Sequence, residues 1–144
     1  MPKMIFVNLP VVDMARSVRF YEAIGFTRDT TFGDGDGRAA MMRWSDAICF
    51  NLHAHDFYGT FTDKPIADAH ATSAVLLCLS CDDRQAVDTL IDAAVAHGGR
   101  EARPRHDGGF MYGGAVEDPD GHVIEPMWMD VDAAVAAMSP AQAA

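Results

Sequence analysis

Several groups of residues have the types and spacing to do chemistry. Cys78-Leu79-Ser80-Cys81 matches C-x-x-C, the spacing of a dithiol redox pair. It lies at the end of an apolar run, residues 74–79, that reads as a strand, where positions i and i+3 point to opposite faces. With Cys49 the chain has three cysteines, an odd number that reads as free thiols. Asp34-Gly35-Asp36-Gly37 opens like a calcium loop, but Arg38 stands where the next oxygen ligand is needed, so a hairpin turn is expected. Arg100, Arg103, Arg105 and His106 form the one basic cluster, beside Gly108-Gly109. They can receive an anionic group or, as a solvated strand edge, balance nearby acids. The aromatics Phe57, Tyr58 and Phe61 can lid a pocket or pack the linker down.

These residues need elements to hold them. Val7, Leu9 and Val11 alternate like a strand, and Asp13 can cap a helix whose apolar stripe is Met14, Val18, Tyr21 and Ile24, stopped by Gly25. Residues 26–32 read as a second strand, and 39–44 and 47–53 as a hairpin. The order is βαβββ. The second half repeats it. Residues 75–81 form a strand, and Asp82 or Asp83 caps a helix carrying Val87, Leu90, Ile91 and Ala94. Strands follow around 100–103, at 110–117 and at 122–129, the last two flanking Asp118-Pro119-Asp120-Gly121. An offset of 70 lays Leu9 on Leu79 and Asp13 on Asp83. An offset of 74 lays Asp46 on Asp120 and Asn51 on Glu125. Such a repeat marks a duplicated architecture. We therefore expect an α+β fold of two βαβββ modules at about 4–54 and 74–130. A polar linker at about 55–73 joins them into one domain, 4–130. Residues 131–144 form a tail with a short helix capped by Asp130 and a mobile end.

Composition narrows the partners. The chain has 144 residues, enough for one domain with a core of its own. Eleven basic against 21 acidic residues give a net charge of −10, which argues against nucleic acid and anionic membrane surfaces and leaves a small-molecule ligand. The N-terminal stretch, residues 1–8, is too short and too mixed for a signal peptide, the apolar runs fall far below the length of a spanning helix, and a cytoplasmic protein is expected.

Two stretches, Asn8-Leu9-Pro10-Val11-Val12-Asp13-Met14-Ala15-Arg16-Ser17-Val18-Arg19-Phe20-Tyr21 and Val116-Glu117-Asp118-Pro119-Asp120-Gly121-His122-Val123-Ile124-Glu125, resemble the vicinal oxygen chelate superfamily. That superfamily contains glyoxalase I, extradiol dioxygenases and the fosfomycin and bleomycin resistance proteins. Phe57-Tyr58-Gly59-Thr60-Phe61 and Lys64-Pro65-Ile66-Ala67-Asp68 are most similar to the branch labelled predicted lactoylglutathione lyases. The resemblance implies paired βαβββ modules curled into a cup-shaped, incompletely closed mixed barrel with helices outside, and a homodimer. It also implies a divalent metal held by inward residues on the first and last strand of each module, acting as a Lewis acid.

Carried onto this chain, those positions are Phe6, Asn51, Leu76 and Glu125. Phe and Leu cannot coordinate, and Glu125 is the one good ligand, so no metal and no cofactor is expected. A shifted ion on His53, Cys78 and Glu125 is the alternative. Period-two alternation points Asn8, His53, Cys78 and Met127 into the same cup. Glu125 is the candidate general base. Asn8, Asn51, His53, Cys78, Met127, Phe6, Leu76, Arg103 and Arg105 are the candidate substrate-binding residues. Two functions follow. One is a lyase or isomerase acting on a small oxygenated metabolite. The other is a metal-free protein that sequesters an aromatic or cationic small molecule.

Overall fold

Three of the helices begin at an aspartate. In the computed structural model, which describes residues 2–33 and 35–139, helix α1 (Met14–Ala23) starts at Asp13, whose side chain accepts from the Arg16 N–H. Helix α3 (Arg84–Ala96) starts at Asp83, which accepts from Ala86, and α4 (Val131–Met138) at Asp130, which accepts from Ala133. These carboxylates satisfy N–H groups that have no partner inside the helix. The expected mobile end of the tail, and Asp34 of the expected turn, lie outside the described residues. Gly35–Gly37 of that turn form a short 3-10 turn.

The strands are β1 (Ile5–Val11), β2 (Thr27–Asp29), β3 (Ala39–Arg43), β4 (Ile48–Ala54), β5 (Leu76–Ser80), β6 (Arg100–Asp107), β7 (Met111–Glu117) and β8 (Val123–Met129). They form two four-stranded mixed sheets, ordered β1-β4-β3-β2 and β5-β8-β7-β6. The sheets are not closed into a barrel, and the α+β pattern of two similar modules stands. The repeat extends to register. β1 pairs parallel with β4 so that Asn8 faces Asn51, and β5 pairs parallel with β8 so that Cys78 faces Glu125. These are the pairs that the offsets of 70 and 74 superimpose.

Two expected strand boundaries are corrected. The second strand stops at Asp29 rather than running to Phe32. There the Asp29 carboxylate accepts from the Thr31 N–H at 2.8 Å and is held by Arg43. A turn from Thr30 to Gly33 follows, the latter at φ 99°, a value that favours glycine. Strand β6 runs on to Asp107 instead of ending near Arg103, with register shifts between Glu101 and Arg103 and between Arg103 and His106. The linker contains a single helical turn, α2 (His55–Tyr58), closed by the Gly59 N–H on the His55 carbonyl.

One face of each sheet packs on helices. Leu9, Val11, Phe50, Leu52 and Met42 meet Phe20 and Tyr21 of α1, while Leu79, Val116 and Ile124 meet Val87, Leu90 and Ile91 of α3. Both sets belong to one core. The modules are also joined by hydrogen bonds. Asp118 accepts from the Tyr21 hydroxyl at 2.6 Å and from the backbone N–H of Asp120 and His122. Asp120 accepts from the Val12 N–H and the Ser17 hydroxyl. His122 Nε2 lies 2.8 Å from the Pro10 carbonyl. Asp118-Pro119-Asp120-Gly121, read in the sequence as a turn, is thus also the polar seam between the halves.

Candidate functional site

The faces turned away from the helices carry the candidate residues. In module two, Cys78, Arg103, His106, Met111, Glu125 and Met127 border a cavity of about 590 Å³. Arg103 donates from Nη1 to Glu125 Oε2 at 2.8 Å. The glutamate side chain is 18% exposed and the arginine 55%. Burial, and then the charge of Glu125, push the Cys78 thiol up, so it remains protonated and a poor nucleophile at neutral pH.

In module one, three polar side chains share one oxygen. Asn51 donates from Nδ2 to Asn8 Oδ1 at 3.1 Å, and His53 Nε2 lies 3.1 Å from the same atom. His53 is 7% exposed. Its ring packs against Phe57 and Phe61 at centroid distances of 5.1 and 5.4 Å, so these aromatics hold the linker down onto the imidazole. Burial lowers the His53 pKa. Asn51 Oδ1 and His53 Nδ1 are buried with no hydrogen-bond partner. A cavity of about 190 Å³ adjoins them, bordered also by Arg28, Asp29, Phe32 and Met41.

The structure therefore brings Cys78, Glu125, Met127 and Arg103 together, and separately Asn8, Asn51 and His53. It separates other residues that the sequence groups. Arg105 borders the module-two cavity, but its guanidinium is taken up by Asp88 and Asp92 of α3 and by Glu101. The register shifts in β6 account for this, because a bulge breaks the alternation that would keep Arg103 and Arg105 on one face. Arg100 pairs with Glu117. Phe6 and Leu76 are 43% and 55% exposed and border neither cavity. Sequence reasoning assigned no chemistry to Arg28 and Asp29; the signal was the polar Thr27-Arg28-Asp29 within an otherwise strand-like run.

The glyoxalase/bleomycin resistance protein/dioxygenase superfamily model matches residues 3–125. The chain belongs to this superfamily. Solved structures of the same fold include a hypothetical protein from S. aureus (20% identity, 89% of this chain and 95% of that one, TM-score 0.74). A glyoxalase/bleomycin resistance protein/dioxygenase family enzyme from Burkholderia phytofirmans shares 19% identity, with coverage of 89% and 99% and a TM-score of 0.71. A glyoxalase-related enzyme from Fulvimarina pelagi shares 19%, with coverage of 89% and 88% and a TM-score of 0.72. At these identities the likeness shows the fold alone. Among curated proteins none matches.

The superfamily's divalent ion can be tested against the residues that stand at its positions. Phe6 and Leu76 offer carbon, and Glu125 is engaged by Arg103. Among the described residues no three His, Cys, Asp or Glu side chains are arranged to hold an ion, and this includes the shifted set of His53, Cys78 and Glu125. The residues do not fit the ion. Among the same residues, no helix is long and apolar enough to cross a membrane.

Proposed function

We propose that this superfamily member binds a small organic molecule on the open faces of its sheets without a divalent metal, as a binding protein rather than a lyase. The observation that carries this reading is the Arg103–Glu125 ion pair. The one carboxylate at the superfamily's ligand positions already has a cationic partner, and two of the other three positions are hydrocarbon. The net charge of −10 favours a neutral or cationic guest over an anionic one. The chain acts in the cytoplasm, in keeping with its three free cysteines. It acts as a homodimer whose second copy covers the exposed Ile5, Phe6, Val75 and Leu76 at the starts of β1 and β5.

A second reading is favoured by one observation: Glu125 sits in the larger of the two cavities, where Arg103 can receive an anionic oxygen while Glu125 takes a proton. That describes a lyase or isomerase of the lactoylglutathione lyase kind, acting on a small oxygenated metabolite. Thermal-shift measurements separate the readings, since a ligand that binds only the folded state raises Tm. Stabilisation by organic ligands and not by Zn²⁺, Ni²⁺ or Mn²⁺, with no turnover of a hemithioacetal, supports the binding protein. Turnover that is lost in Glu125→Gln overturns it.

A further inference from the structure

We propose that the module-one cavity receives the N–H edge of an uncharged primary amide or amino-substituted ring, with Asn51 Oδ1 and His53 Nδ1 as paired acceptors. This rests on the small-molecule reading above and names the ligand chemistry of one half of that surface.

The argument starts at Asn8 Oδ1, a carbonyl oxygen that can only accept. It takes one hydrogen bond from Asn51 Nδ2. The contact with His53 Nε2 is therefore made by an N–H. Burial keeps the imidazole neutral, so its single proton is on Nε2 and Nδ1 carries a bare lone pair. Asn51 spends an amide hydrogen on Asn8, which leaves its carbonyl oxygen as the group without a partner. Two buried acceptors thus stand two residues apart on β4, on the same face of the strand, beside a cavity. Leaving such atoms without donors is costly, and a ligand with two N–H hydrogens removes that cost.

Charge and size narrow the guest. At the two acceptor atoms themselves an anion would meet lone pairs. An ammonium would find no free carboxylate, because Asp29 is occupied by Thr31 and Arg43, and would lose its hydration without a counter-ion. The volume of about 190 Å³ is below that of drug-sized sites and suits a single ring. Met41 and the 82% exposed Phe32 supply apolar surface for its faces.

The test uses the full chain and three matched probes. Nicotinamide carries the two hydrogens, N,N-dimethylnicotinamide lacks them, and nicotinate replaces them with a carboxylate. Imidazole-nitrogen NMR follows His53 during each titration. Nicotinamide is expected to bind saturably and to move the Nδ1 resonance from its free-lone-pair position towards the hydrogen-bonded one. The other two are expected to bind at least about tenfold more weakly, as two lost hydrogen bonds require. Asn51→Leu and His53→Phe should each weaken nicotinamide about fivefold, while a change at the exposed turn residue Asp46, Asp46→Ala, leaves it unchanged. Equal binding of the three probes, an unmoved Nδ1 resonance at saturation, or no saturable binding overturns the proposal. The Nδ1 signal is read in the unsubstituted protein, so a variant that folds poorly does not remove the test. If nicotinamide fails while other organic ligands still stabilise the chain and lose that effect in Arg103→Ala, this inference falls and the binding-protein reading stands. If no organic ligand binds, both fall.

Discussion

The two modules share a backbone plan and differ in what they place on it. Asn8 faces Asn51 in one, and Cys78 faces Glu125 in the other, at the same register of the same parallel pair. Module one presents a neutral network with two spare acceptors. Module two presents an ion pair over a larger cavity. The hairpin turns differ too. Asp46 is exposed, whereas its counterpart Asp120 is 9% exposed and bonded across the seam to Val12 and Ser17. A duplicated fold thus keeps its hydrogen-bond ladders and core while each copy's polar positions diverge, because the ladder depends on backbone and the open face does not.

The largest effect should come from the seam. Asp118→Ala leaves the Tyr21 hydroxyl and two backbone N–H groups without their acceptor in a buried place, and should cost about 3 kcal/mol or more. Asp46→Ala should stay within about 0.5 kcal/mol. Chemical denaturation of the two variants checks this, and equal losses would break the asymmetry. Next in size is a pH effect confined to module one. The His53 pKa is lowered by burial, so the unfolded chain takes up the proton first. The stability that depends on neutral His53 is full above the ordinary histidine value, about 6.5, and is lost as pH falls through it towards the lower folded value. The Tm difference between the unsubstituted chain and His53→Phe should shrink from pH 7.5 to 5.5, by calorimetry; a difference constant with pH would contradict the assignment.

Module two should respond least. Arg103→Ala and Glu125→Gln each break an ion pair whose arginine is half exposed, which should cost no more than about 1 kcal/mol. High salt should shrink the difference further. A double-mutant cycle gives the coupling, and a value well above that bound would make the pair a structural strut instead of a ligand-facing group.

Much of this fold is legible in the sequence. Asp13 and Asp83 each precede an apolar stripe of helical period, Asp130 precedes the short tail helix, and all three cap helices. The offsets that superimpose Asp13 on Asp83 and Asn51 on Glu125 also give the strand register. The site is less legible. Period-two alternation brings Glu125 and Met127 together, but it places Arg105 with Arg103, and the register shift between Arg103 and His106 undoes that. No local pattern records such a shift, and the partners that Arg105 then reaches, Asp88 and Asp92, come beside it only when α3 packs on the sheet. The seam is hidden for a similar reason. Asp118-Pro119-Asp120-Gly121 reads as an exposed turn until α1 is packed over it. The Asn8–Asn51–His53 network was foreseen as three residues on one face, but not as a shared oxygen with two acceptors left over.

Metal binding by the unsubstituted protein and by Glu125→Gln tests the central claim most directly. After incubation with Mn²⁺, Ni²⁺ or Zn²⁺ and removal of free ion, elemental analysis should find no stoichiometric metal in the unsubstituted protein, and Glu125→Gln should be indistinguishable from it. A stoichiometric ion retained by the unsubstituted protein and lost in Glu125→Gln would contradict the account and return the chain to the superfamily's metal chemistry.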